Sequence, residues 1–191
     1  DLVTGGYTTG RIFWFRGETR GEDGTPVLRY EGTLDDADGA IDTIWGAAPA
    51  LADFDSDGQV DLISGAWWWS GIHREPKLGE TDALWYFRGA GITDSARFTR
   101  APFPRAGDFP RASIARPSVI DTNGDHLADL FVSESGGNCY IFLNVGTKTS
   151  PQWDLRPAPL TVPWGFTRDF DVAASSADVN ADGSAEFLVG S

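Results

Sequence analysis

The sequence predicts an all-β repeat fold, and three observations carry that prediction. One acidic turn occurs three times, with oxygen side chains at positions 1, 3, 5 and 9 of nine: Asp53, Asp55, Asp57 and Asp61; Asp121, Asn123, Asp125 and Asp129; Asp178, Asn180, Asp182 and Glu186. Each turn runs straight into a short apolar strand, and the strand of Asp1-Leu2-Val3-Thr4-Gly5 is a fourth copy without the turn. Nowhere does helical periodicity with caps persist, whereas Gly, Pro and Asp bound short β-branched and aromatic runs throughout. Strand starts at 1, 61, 129 and 186 give a period near 60 residues, and such self-similarity outranks local readings.

Each period carries the same succession of strands. An apolar segment leads into the turn: Ala48–Ala52, Pro117–Ile120 and Val172–Ala177. After the turn come Asp61–Gly65, Asp129–Ser133 and Glu186–Gly190. An aromatic strand follows at Arg11–Arg16, Ala83–Arg88 and Cys139–Leu143, running into Gly17, Gly89 or Gly146. A weaker fourth strand is expected near Val27–Tyr30, Ala96–Arg100 and Gln152–Arg156. Four short antiparallel strands per repeat describe a β-propeller blade. The expected division is a partial blade with strands two to four at 1–46, complete blades at 47–114 and 115–171, and strands one and two at 172–191. About three blades' worth is too little for an ordinary ring. The expectation is an open array, either part of a larger propeller or a subunit whose edges pair with other propeller subunits.

Clustered carboxylate and amide oxygens on one short turn are suited to a hard cation, and calcium is the natural one. In the first turn Asp53, Asp55, Asp57 and Asp61 are candidate ligands, joined by the Gln59 carbonyl, with Gly58 supplying the sharp bend. In the second, Asp121, Asn123, Asp125 and Asp129 join the Leu127 carbonyl, and His126 stands where a glycine is expected. In the third, Asp178, Asn180, Asp182 and Glu186 join the Ser184 carbonyl. The chain of 191 residues has a formal charge of -13, which argues against nucleic acid and anionic membranes as partners. Three calcium ions would offset about six of those charges. No apolar run is long enough to span a membrane. Millimolar calcium outside cells suits modest loop sites, so an extracellular or cell-surface setting is expected. The absence of methionine and the start at Asp1 agree with a processed or excised chain.

These residues resemble the FG-GAP/VCBS repeat family, the calcium-loop blades of integrin alpha-subunit propellers and many secreted bacterial proteins. The resemblance rests on the three acidic turns in register and on aromatic strands ending in glycine, as in Tyr140–Gly146. Trp45-Gly46-Ala47-Ala48-Pro49 only hints at the signature for which the family is named. Membership implies a radial propeller with calcium between the first two strands of a blade, and functions from adhesion to glycan binding.

Outside the turns, Trp67, Trp68 and Trp69 offer flat rings that either pack between blades or form a platform for sugar rings. On a strand Trp67 and Trp69 share one face and Trp68 takes the other. Catalysis has little support. His73 and His126 are the only histidines, and no nucleophile elbow, zinc spacing or phosphate-cradling loop is present. Cys139 reads as a buried strand thiol. The expected function is a non-catalytic, calcium-stabilised extracellular module for adhesion or self-assembly. The alternative is a glycan-binding section of a secreted carbohydrate-active enzyme.

Overall fold

In the computed structural model the described residues are 1–21, 23–36, 38–43, 45–66, 84–92, 96–104, 115–134, 138–154, 173–177, 179–180 and 186–190. They form four β-sheets, and no helix occurs among them. The first sheet is β1 (Leu2–Gly5), β2 (Ile12–Gly17) and β3 (Leu28–Thr33), antiparallel in chain order. A short hairpin follows, β4 (Asp35–Asp36) and β5 (Gly39–Ala40). The second sheet is β6 (Ala48–Ala52), β7 (Asp61–Gly65), β8 (Leu84–Ile92) and β9 (Ala96–Ala101). Its outer strand β9 also takes β4 alongside it in parallel, so the full order is β5-β4-β9-β8-β7-β6. The third sheet is β10 (Arg116–Ile120), β11 (Asp129–Ser133) and β12 (Cys139–Phe142), and the fourth is β13 (Ala173–Ala177) with β14 (Glu186–Gly190).

The repeat holds at the level of individual pairs. Ala52 faces Asp61, Ile120 faces Asp129 and Ala177 faces Glu186, so each acidic turn closes a hairpin at the same residue. Across the next ladder, Leu2 faces Phe15, Leu62 faces Phe87 and Leu130 faces Phe142. Two features were not foreseen. The β4–β5 hairpin leaves the first sheet and joins the edge of the second. Near the expected strand at Gln152–Arg156, Trp153 makes only an isolated bridge to Asn144, while residues 155 and 156 lie outside the described set.

Burial follows from the two-residue period of a strand. On one side of the second sheet, Leu62, Trp85, Phe87 and Phe98 pack with Ile12, Trp14, Leu34 and Ile41. On its other side, Ile63, Leu84 and Tyr86 pack with Leu130, Val132 and Phe142. Successive sheets are therefore stacked face to face in chain order, and the second is buried on both faces. Phe131, alternating with Leu130 and Val132, is buried on the side of β13, which lies against β10 and β11. The leading strands β6, β10 and β13 run together as well, since β10 lies beside both β6 and β13, while β1, the counterpart of β7, lies beside β6. Trp153 is fully buried, its indole N–H donating to the Ala128 carbonyl at 2.9 Å, with Phe54 and Phe103 ringed around it. Cys139 is a free, buried thiol, and burial pushes its pKa up.

Adjacent sheets approach closely enough to require glycine. A Cβ on Gly65, the last residue of β7, would overlap the carbonyl of Ala115 just before β10. Gly5 stands in the same relation to Ala47 just before β6. Gly65→Ala is therefore expected to wedge the second and third sheets apart and lower stability by about 2–3 kcal/mol. Urea unfolding measures it, and a midpoint equal to that of the parent would refute this packing.

Candidate metal centre

The acidic turns are built by their own side chains before any ligand is considered. In the first turn Asp53 accepts the amides of Asp57 (3.1 Å) and Gly58 (3.0 Å), and Asp57 accepts the amide of Gln59 at 2.8 Å. The second turn repeats this. Asp121 accepts the amides of Gly124 (2.8 Å) and His126 (2.9 Å), and Asp125 accepts that of Leu127 at 2.8 Å. Two left-handed residues let the backbone curl around the first aspartate in each case. They are Ser56 (φ 55) and Gly58 (φ 87) in the first turn, and Gly124 (φ 76) and His126 (φ 64) in the second. His126 thus takes the conformation that its glycine-like position demands. The left-handed Ser56 carries no such sign in the sequence.

The ninth-position acid does a job that turn spacing alone did not reveal. Asp61 opens β7 and is fully buried. One oxygen accepts the Phe54 amide (3.2 Å) and the Tyr86 hydroxyl (3.0 Å), and the other accepts the Gly89 amide at 2.8 Å. Asp129 repeats the arrangement, accepting the Thr122 amide at 3.0 Å, the Thr122 hydroxyl, and the Asn144 amide at 2.7 Å. Glu186 accepts the Val179 amide at 2.8 Å. Asp1, which has no turn before it, still accepts the Gly17 amide at 2.8 Å. In the first three sheets the acid at the start of β1, β7 or β11 ties that strand to the end of the aromatic one. Where a turn precedes it, it also ties down the turn's second residue.

Position 3 separates the first turn from the second. Asn123 is exposed and folds onto Asp125, accepting its amide at 2.9 Å and donating to its carboxylate at 2.9 Å. Asp55 is 7% exposed, and its buried Oδ1 has no hydrogen-bond partner. Its other oxygen lies 3.6 Å from the Arg88 guanidinium. Asp53, Asp55 and Asp61 each bring a carboxylate oxygen within 4.8 Å of the others, the one such acidic group among the described residues. Burial pushes the Asp61 carboxyl above the usual carboxylate range, with the nearby Asp55 charge adding to the effect. The Tyr86 phenol is raised too, first by burial and then by the Asp61 and Asp55 charges. A buried acceptor without a donor is costly, and three hard, anionic carboxylates brought together are a donor set suited to calcium.

The remaining sequence-derived candidates are placed as follows. Asp57 and Gln59 sit on the exposed side of the first turn, and Asp121, Asn123 and Asp125 are exposed with Leu127 half-buried. Asp178, Asp182 and Ser184 lie outside the described residues, as do Trp67, Trp68 and Trp69. Of the third turn only Val179 and Asn180, both exposed, and the half-buried Glu186 are described. Tyr86, Arg88 and Gly89 were missed as parts of the centre, although the aromatic strand ending in glycine was visible as a repeat. No protein-family model matches this chain, and neither a curated protein nor a solved structure matches it significantly.

Proposed function

We propose that this chain is a non-catalytic, calcium-stabilised section of a β-propeller of the FG-GAP/VCBS kind, an extracellular module for adhesion or self-assembly. The observation that carries it is the buried Asp55, whose Oδ1 has no hydrogen-bond partner and whose carboxylate lies together with those of Asp53 and Asp61. Those three residues would hold the ion in the first turn. The ion would supply charge neutralisation and a rigid cross-link between turn and strand, with no reaction to perform. Four sheets stacked in chain order, with the leading strands β6, β10 and β13 side by side, support the blade reading.

Melting in calcium and in chelator tests the proposal. A bound ion is linked to folding, contributing about 2.7 kcal/mol per site at a concentration 100-fold above its dissociation constant. Calcium is expected to raise the melting temperature by several degrees over chelator. Superimposable melts would remove the metal from the proposal.

A further inference from the structure

The outer face of the first sheet is apolar and exposed, and the molecule itself shows what covers such a face. Leu2, Phe15 and Tyr30 stand in one cross-strand row. The Tyr30 ring lies 5.4 Å from that of Phe15 and 6.4 Å from that of Phe13. Leu28 shares the face, two residues from Tyr30 along β3. Leu2 is 45% exposed and Tyr30 is 56% exposed.

In the second sheet the corresponding row begins Leu62–Phe87, and the first sheet buries it completely. In the third sheet it begins Leu130–Phe142, and the second sheet buries it. The same face, pair by pair, is thus a sheet-on-sheet interface twice within this chain. The other end of the stack is complementary. Leu188 holds the position of Ile63 and Phe131, the residues that each face the following sheet, yet it is 52% exposed.

We infer that the outer face of the first sheet docks the fourth sheet of a second copy of this chain, Leu188 against the Leu2–Phe15–Tyr30 row. The contact continues an interface the fold already makes twice, through sheet faces and not through strand edges. It is head-to-tail, so copies form a closed ring or an open filament according to the rotation per step. The inference deepens the self-assembly reading and rests on its stacked-sheet geometry, though not on the metal.

Sedimentation of the 191-residue chain over about a hundredfold range of concentration tests it. Mass is expected to rise with concentration. Tyr30→Glu on one face and Leu188→Glu on the other are each expected to weaken self-association by about 30-fold or more. Leu28→Glu serves as a second variant of the first face, and circular dichroism confirms that each variant is folded. The decisive sample is a mixture of Tyr30→Glu and Leu188→Glu, which should form a one-to-one dimer that grows no further. A monomer at every concentration overturns the inference. So does undiminished self-association of the Leu188→Glu variant alone, which would mean like faces pairing. Runs in calcium and in chelator separate the two readings. Association with calcium-insensitive melts removes the metal alone, and calcium-shifted melts of a persistent monomer remove the docking alone.

Discussion

Asp55→Ala is expected to abolish the stabilisation that calcium confers while leaving the calcium-free protein at least as stable as the parent. In chelator the parent protein keeps a buried carboxylate oxygen without a donor, next to the carboxylates of Asp53 and Asp61. An unsatisfied buried acceptor costs about 1–3 kcal/mol. Its removal also relieves the repulsion that Asp55 exerts on the buried Asp61. The variant should therefore melt at or above the parent's temperature when calcium is absent. In calcium at about 100-fold above its dissociation constant the parent gains about 2.7 kcal/mol that the variant cannot recover. For a chain of this size the parent's melting temperature should rise by roughly 5–10 °C from chelator to calcium, while the variant's stays where it is in chelator. Scanning calorimetry of both proteins in both buffers gives four values. A variant equally destabilised in calcium and chelator would make Asp55 a structural residue and not a ligand.

The all-β class and most strands of the repeat were legible because three acidic turns repeat in register. Ala48–Ala52, Asp61–Gly65, Asp129–Ser133 and Glu186–Gly190 form strands at the residues their motif indicates. A turn fixes the register of its own hairpin, and the alternation of Leu62 with Ile63 or Leu130 with Phe131 then fixes the two faces. What escaped depends on partners distant in the chain. Strands β4 and β5 are two residues each and polar or small, and β4 pairs with β9, some 60 residues on. Trp153 has no periodic neighbour to mark it, yet it fills the space among Phe54, Tyr86 and Phe103.

The candidate site divides along the same line. Residue types at positions 1, 3, 5 and 9 identified the acids, and a glycine at the sixth position identified the bend. Which acid would take which role needed the third dimension. Asp53 and Asp57 bind amides within their own turn, whereas Asp61 reaches Gly89, 28 residues away. Turn spacing treats Asp55 and Asn123 as equivalent. Burial separates them, because Asp55 is buried and Asn123 is exposed.

Asp61→Ala is expected to be the most damaging single change among the acidic turns, and chelator isolates its structural part. The substitution leaves the amides of Phe54 and Gly89 and the hydroxyl of Tyr86 without their acceptor in a buried setting. Each orphaned donor costs about 1–3 kcal/mol, and relief of the buried charge returns part of that. A net loss of about 3–5 kcal/mol is expected, at the upper end of single substitutions. Asp61→Asn keeps one carbonyl oxygen but presents an amide group where a second acceptor is needed, so it should lose less, about 1–2 kcal/mol. Asp1→Ala supplies the internal control. Asp1 makes the same bond to Gly17 that Asp61 makes to Gly89, but it makes it at the surface. Its removal should cost less than about 1 kcal/mol. Urea titrations in chelator read all three. Equal losses for Asp1→Ala and Asp61→Ala would mean that burial does not set the worth of this clamp. A near-silent Asp61→Ala would confine its carboxylate to a metal role.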